Sequence, residues 1–359
     1  MSLMKAVHCS EFAGLNVDGR PAENVKPIRE VLSFCDAPKP VIGSNEALIQ
    51  VHFAGVQYPD LLQAQGFYQV KPKLPYTPGA DLSGVVVQLG TDVAAELGFA
   101  VGDRVVGQVE TGALAEFASV PVDSLLKVPT GVPLDGVANL GRNYFAAYHS
   151  LKVISDLQPG QSVLVDGASG GVGMAAIRLA KSMGATVVAG VSRESRQQAV
   201  LDAGANAAFV YGDSVDAYKA FKNDVRDYLN SNGRPEGLDV ILDMVQGDLF
   251  ETALLSLIRP LGKVCLIGFT AGQKAIRPGM ILIKQASVVG SLWSPWAKAN
   301  PQQHRVNAAE IMNFFAHGKI DAQPDRTFAF QDCVGAFELF EKREGRGNTV
   351  IQVAESVGA

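Results

Sequence analysis

Apolar residues fall into short runs along the first ~140 positions, at 47–53, 83–89, 104–108 and 115–120, each bounded by glycine, proline or polar turn residues. β-Branched runs of that length and spacing predict short strands, and several together predict a small, barrel-like β domain. From about Leu157 the pattern changes. Continuous apolar runs at 162–166, 186–191, 207–210, 238–243 and 263–267 alternate with stretches of helical period at 172–183, 195–203, 217–229 and 249–258. A run apolar at every position is buried on both faces, so this alternation predicts a parallel sheet covered by helices. Beyond Trp296 the pattern loosens into helices near 308–316 and 334–341 and a closing strand, 349–353, too polar-flanked to extend the parallel sheet. Trp293 and Trp296 flank a Ser-Pro pair that reads as a turn. The expected fold class is α/β: a doubly wound Rossmann sheet at 144–293, inserted between residues 1–143 and a return segment, 294–359, of a β-rich domain.

Composition removes several function classes. Hydrophobic residues make up 47% of the chain and charged residues 19%, a balance that builds a core and excludes disorder. The 31 basic and 36 acidic residues leave a net charge of −5, with no dense basic run. Nucleic acid is held by clustered positive charge, so no such partner is expected. No window approaches the ~18 uninterrupted apolar residues of a membrane helix, and none is expected. Cys9, Cys35, Cys265 and Cys333 lie far apart with no CxxC spacing. They read as reduced thiols, and with no signal-like N-terminal run the expected setting is cytoplasmic.

The densest chemistry lies at Asp166-Gly167-Ala168-Ser169-Gly170-Gly171-Val172-Gly173, between the first strand of the alternating region and its helix. Small residues there permit a tight turn and a close main-chain approach to a pyrophosphate, which the helix N-terminus then meets with unbonded N–H groups. Ala168, Ser169, Gly170, Gly171, Val172 and Gly173 are therefore expected to hold a dinucleotide, with Ala168 standing where the fingerprint has its first glycine. About twenty residues on, an NAD site places an acid for the ribose hydroxyls. Here Ser192 occupies that place, followed by Arg193 and Arg196. A hydroxyl and two guanidinium groups suit a 2′-phosphate, which an acid would repel, so NADPH is the expected cofactor.

The front half carries a family resemblance. Gly55-Val56-Gln57-Tyr58-Pro59-Asp60, Gly66-Phe67-Tyr68 and Leu74-Pro75-Tyr76-Thr77-Pro78-Gly79-Ala80-Asp81-Leu82-Ser83-Gly84 resemble the medium-chain dehydrogenase/reductase superfamily, and within it the zeta-crystallin-type NADPH:quinone oxidoreductases. Gly102-Asp103-Arg104-Val105, the run from Asp239 to Asp243 and Ile267-Gly268-Phe269 fit the same family in order. The resemblance implies a GroES-like catalytic domain, a central Rossmann domain, a homodimer or homotetramer, and a small quinone or enone as substrate. It places Gln57 near the nicotinamide and Tyr68 in the substrate cleft as catalytic residues. It also places Tyr211 and Arg196 at the adenosine phosphate, Gly268 and Phe269 at the nicotinamide, and Asn348 in a stretch that closes over the cofactor.

Two departures qualify it. Phe145-Ala146-Ala147-Tyr148 stands where the family has Leu-Thr-Ala-Tyr, with Arg142 and Asn143 just before it. Where the zinc alcohol dehydrogenases have a Gly-His-Glu run and a nearby Cys, the resembling segments here read Gly79-Ala80-Asp81 and Gln57 or its neighbours. Zinc takes about four N, S or O ligands, and the five histidines show no paired spacing, so no metal site is expected. Two alternatives stay open: an enoyl-thioester reductase, with Lys71 and Lys73 near Tyr68, and a catalytically quiet NADPH-binding structural or regulatory protein.

Overall fold

The computed structural model describes residues 2–16, 19–93, 97–321 and 323–354. The chain divides into two compact units: a split unit of Met1–Arg142 with Asp321–Ala359, and an inserted unit, Asn143–Ile320.

In the split unit, β1 (Leu3–Cys9) and β2 (Leu32–Pro38) form a two-stranded antiparallel sheet. The next five strands are β3 (Glu46–Val56), β4 (Asp81–Leu89), β5 (Arg104–Gln108), β6 (Phe117–Pro121) and β7 (Leu125–Lys127). The inserted unit contributes β8 (Ser162–Val165), β9 (Thr186–Val191), β10 (Ala207–Val210), β11 (Leu238–Asp243), β12 (Ile258–Leu266) and β13 (Ser287–Gly290). After the chain returns, β14 (Arg326–Ala329) and β15 (Thr349–Gln352) rejoin the split unit.

The split unit's main sheet runs β14-β15-β3-β4-β5-β7, with β6 also paired to β3. The eleven-residue β3 is its spine, because it pairs antiparallel with β4 along its length, with β6 at its start and with β15 at its end. Ile49, Val51, Leu82, Val86, Val105, Leu114 and Ile351 fill the core between its layers, with Phe337 on the helix Cys333–Glu341. The closing strand thus belongs to this sheet, as its polar flanks require. At the far end of β3 the chain turns directly into the helix Tyr58–Gln65, so the strand delivers Gln57 to that corner.

All six strands of the inserted unit are parallel, in the order β10-β9-β8-β11-β12-β13. The chain winds outward from β8 through β9 to β10, then returns to the other side of β8 at β11. Ligands of such sheets bind at the C-terminal strand ends, where the order reverses, here between β8 and β11. Edge strand β13 was not legible as a strand: its four residues are only partly covered, in the pattern exposed–intermediate–intermediate–exposed.

One boundary differs from the sequence expectation. Residues 294–320 belong to the inserted unit rather than to the return segment, and the 293–297 region is helical rather than a turn. Helices Trp293–Ala299 and Pro301–Ala316 pack on the stretch Phe145–Tyr148: Trp293 lies 5.1 Å and His304 4.7 Å from the Phe145 ring, and Tyr148 Oη donates to Glu310 at 2.7 Å. Each helix carries its proline in the first turn, where a missing N–H costs nothing, so Ser-Pro and Asn-Pro mark helix starts here. Among the described residues no helix is long and apolar enough to cross a membrane.

Candidate active site

The glycine-rich turn leaves β8 and enters the helix Gly171–Ser182. Its left-handed residue is Gly167, at φ 54°, one position before Ala168. That is why alanine is tolerated where the fingerprint has glycine: the conformation needing a missing Cβ sits next door. Gly173 is fixed by contact instead, since a Cβ there would lie 2.6 Å from the Ala168 carbonyl oxygen. The helix therefore starts pressed against the strand, with no side chain capping its first N–H groups and no acid in its first turn. Such a terminus is open to an anion. Asn143 closes its flank, because a Cβ on Gly171 would meet the Asn143 amide at 2.5 Å.

The ribose end is assembled around that loop. Arg196 Nη1 donates to Ser169 Oγ at 3.0 Å, joining the end of β9 to the phosphate turn. Tyr211, just past β10, is buried, and burial pushes its phenol up, while Ser192 and the Arg196 charge act in the opposite sense. Ser169, Ser192, Arg196 and Tyr211 thus form one polar group, whereas Arg193 is exposed beside it. No carboxylate occupies the Ser192 position. A dinucleotide fits this arrangement: a close main-chain turn, an uncapped helix start, and hydroxyl and guanidinium groups at the ribose.

Beneath the loop two acids meet. Asp166 follows β8 directly and Asp243 ends β11, and both are fully buried. Asp166 Oδ1 accepts from Met244 N at 2.6 Å; Asp243 Oδ1 accepts from Gln246 N at 2.7 Å and Val245 N at 3.2 Å. The other oxygen of each has no N–H partner among the described residues. Burial, and then the Asp243 charge, hold the Asp166 carboxyl well above the usual carboxylate range. Two neighbouring buried carboxyls resist ionising together, and Asp166 is the one held toward its neutral form. Together they fix the turn 243–247, in which Gln246 takes φ 61°. Gly268 and Phe269 follow β12: Gly268 N donates to Asp243 O at 3.3 Å, and Phe269 is 48% exposed.

The split unit holds a second polar centre. Gln57 Nε2 donates to Asp81 Oδ2 at 2.6 Å and to Asn139 Oδ1 at 2.9 Å, so both of its amide hydrogens are engaged. Gln57 N donates to Asp60 Oδ2 at 2.8 Å, tying the acid into the first turn of Tyr58–Gln65. Arg142 Nη1 reaches Asp60 Oδ1 at 2.9 Å, and Arg142 N donates to Asp81 Oδ2 at 2.9 Å. The Arg142 guanidinium lies 5.9 Å from the centroid of the Tyr68 ring. Burial raises both acids despite this cation, and Asp81 is pushed up to about 6. Asn348 is buried in the same unit, where its N–H donates to Asp325 Oδ2 at 2.7 Å and its carbonyl accepts from Asp325 and Arg326.

The structure thus brings the loop residues together with Ser192, Arg196 and Tyr211 in one unit; in the other, Gln57 and Arg142 meet on Asp60, and Tyr68 lies beside Arg142. Sequence reasoning missed Asp81, Asn139 and the acid pair Asp166–Asp243. It named Arg142 only as a departure. A cation alone in an apolar helical stretch was the available signal. Among the described residues no three His, Cys, Asp or Glu side chains are grouped as a metal site would need.

Comparison with known proteins agrees with this geometry. Residues 43–130 match the family of alcohol dehydrogenase GroES-like domains, and residues 171–306 the zinc-binding dehydrogenase family. The chain is 31% identical over 317 residues to a quinone oxidoreductase-like protein 2 homolog of Nematostella vectensis, covering 88% of this chain and 83% of that one. It is also 31% identical to the human quinone oxidoreductase, over 84% of each. A mycobacterial protein solved in complex with NADPH superposes with a TM-score of 0.82 at 25% identity, over 98% of this chain and 100% of that one. The GroES-like domain, the Rossmann sheet and these relatives agree: the chain belongs to the quinone oxidoreductase-like medium-chain dehydrogenase/reductase family, and it is an oxidoreductase.

Proposed function

We propose that the protein transfers a hydride from NADPH to a quinone or an α,β-unsaturated carbonyl without zinc. The observation that carries the cofactor is the Arg196–Ser169 bond at the end of β9, with Ser192 where an NAD site has an acid. When bound, the reduced nicotinamide supplies the hydride. The chain's own residues do the rest. Main-chain groups from Gly167 to Gly173 seat the pyrophosphate, and Arg196 with Arg193 and Ser192 receives the 2′-phosphate. Asn143 and Asn348 support the cofactor's flanks, as Gly268 and Phe269 do at the nicotinamide. Tyr68 offers a hydroxyl to the substrate carbonyl, and Gln57 holds the corner from which it works.

The zinc-free reading rests on ligand chemistry. Gln57 and Ala80 stand at two positions where zinc relatives have a thiolate and an imidazole, and neither replaces them. A carbonyl without a Lewis acid is a poor hydride acceptor unless conjugation spreads the developing charge, which favours quinones and enones over simple ketones. The name of the relatives supports the same substrates.

The test is a panel of quinones, enones and simple ketones followed at the nicotinamide absorbance band, with NADPH and NADH in parallel and with and without a chelator. Turnover of quinones or enones with NADPH, unchanged by chelation, is expected. Stoichiometric zinc together with loss of turnover on chelation overturns the zinc-free reading. Cofactor binding without turnover of any acceptor overturns the enzymatic one.

A further inference from the structure

We infer that Arg142 is an oxyanion-binding catalytic residue, its guanidinium receiving the substrate carbonyl oxygen beside Tyr68. This rests on the proposed hydride transfer for the identity of the substrate, and on the geometry of the split unit for the site.

Three observations carry it. The first is the use of the guanidinium's donors. Only Nη1 is bonded, to Asp60 Oδ1, and the second oxygen of Asp60 goes to Gln57 N. Nε and Nη2 have no acceptor among the described residues, although the side chain is only 18% exposed. An arginine serving as a counter-ion would turn its fork onto the carboxylate in two bonds, the stronger arrangement. Here one bond orients the group and leaves the other edge available. The second is anchoring. The Arg142 N–H is fixed on Asp81, and the residue sits in a π-helical turn, Leu140–Tyr144, a widened geometry that recurs at functional sites. The third is the neighbour: the Tyr68 ring centroid lies 5.9 Å from the guanidinium carbon, which places one phenol and one cation at the same corner.

The chemistry balances without a metal. With an enone, the hydride leaves the reduced nicotinamide with its electron pair and bonds to the β-carbon. The alkene pair shifts to the carbonyl carbon, and the carbonyl π pair moves onto oxygen. An N–H of Arg142 bonds that oxygen more strongly as its charge grows, and a proton from water later completes the saturated product. A quinone spreads the same charge over its ring and depends on the donor less.

Arg142→Lys keeps the charge and removes the fork. It is expected to lower enone turnover about 100-fold, the low end of the range for losing one well-aimed donor, and quinone turnover by less, about 10-fold, with the KM for NADPH unchanged. Because Arg142→Met alone would leave Asp60 buried without its cation, the neutral form is the double variant Asp60→Asn with Arg142→Met. A second readout needs neither cofactor nor turnover. Para-nitrophenol titrated onto the wild type should ionise at lower pH when bound, seen as its yellow phenolate band, and should lose that shift on the double variant. Enone and quinone turnover both within twofold of wild type in the lysine variant, or a phenolate band alike in wild type and double variant, overturns the inference. A wild type inactive on every acceptor overturns the proposed function, and the phenolate titration then decides the site by itself.

Discussion

In the inserted unit the groups we propose for the phosphates are main-chain N–H groups of a turn and a helix start; in the split unit the groups we propose for the chemistry are side chains bonded to one another. The first depends on what is missing: a Cβ at Gly173, a cap on Gly171–Ser182, an acid at Ser192. The second depends on what is present, a guanidinium, two carboxyls and two amides within hydrogen-bond reach. A main-chain site carries no ionisable group at the ligand, so its response to pH is small and its response to added bulk is large. A side-chain network behaves the other way round. The contrast softens beneath the loop, where the buried carboxyls of Asp166 and Asp243 shape the turn 243–247.

Gly173→Ala tests the first half of that contrast, with the largest expected effect. The new methyl carbon would sit 2.6 Å from a main-chain oxygen, so the helix start must move off β8. Overpacking of this kind costs about 1–3 kcal/mol, and the displaced N–H groups no longer converge on the pyrophosphate. Cofactor affinity should fall about 100-fold or more, roughly 3 kcal/mol, equally for NADPH and NADH in a fluorescence titration. An affinity within threefold of wild type would show that the loop does not hold the phosphates.

Arg193→Ala with Arg196→Ala tests the place where the inserted unit is proposed to meet the cofactor with side chains. Each charge-assisted bond to a 2′-phosphate contributes about 1.5–3 kcal/mol when ordered and less when exposed. NADPH should therefore weaken about 10- to 100-fold, while NADH, with no phosphate to lose, changes little. Adding Ser192→Asp should then turn the preference toward NADH. Equal losses for both cofactors would mean that the arginines support the loop alone, through contacts such as Arg196 to Ser169.

The same contrast explains what could be read from the chain. The loop was legible because its constraints are local: eight consecutive residues carry the turn, the contact and the helix start. Strands β9 and β11 were legible to the residue because buried parallel strands are continuous apolar runs, and the half-buried edge strand β10 was legible because it keeps such a run, Ala-Ala-Phe-Val. Exposed edge strand β13 carries no such signal, and Ser-Pro and Asn-Pro look alike in turns and at helix starts. The split unit's network was illegible for a different reason. Arg142 lies 61 residues from Asp81 and 82 from Asp60; the pairing of β3 with β4 brings the two acids together, and the packing of the helix Leu134–Val137 on β3, β4 and β5 brings Arg142 to them. Asp166 and Asp243, 77 residues apart by their numbering, read as two ordinary strand ends.

Asp81→Asn tests the second half of the contrast, and its expected effect is the smallest. The Asp81 carboxyl is buried and pushed up to about 6 from its ordinary 3.8, mainly by burial and also by the nearby Asp60 charge. Between pH 4 and pH 6, in rough terms, the folded chain keeps a proton that the unfolded chain has lost. Folded stability therefore falls as pH rises through that window, and the full penalty persists above it; below pH 4 both states are protonated and the penalty vanishes. About two pK units correspond to about 3 kcal/mol, an upper bound, since ionised Asp81 gains strength in its bonds from Gln57 and Arg142 N that asparagine would give up. A net gain of about 1–2 kcal/mol for Asp81→Asn at pH 8 is expected. Asparagine fits the position if its oxygen takes the Gln57 and Arg142 bonds and the Gln108 side chain, which faces Asp81 Oδ1, turns its own amide oxygen toward the new N–H2. The measurement is thermal unfolding of wild type and variant from pH 4 to pH 8, with Asp60→Asn alongside. Asp81→Asn should melt higher than wild type at pH 8 and with it near pH 4, whereas Asp60→Asn, which strands the Arg142 cation, should melt lower at both. An Asp81→Asn variant destabilised equally at pH 4 and pH 8 would show that this carboxyl is ionised throughout, and the network would then be a plain ion-pair cluster with no titration of its own.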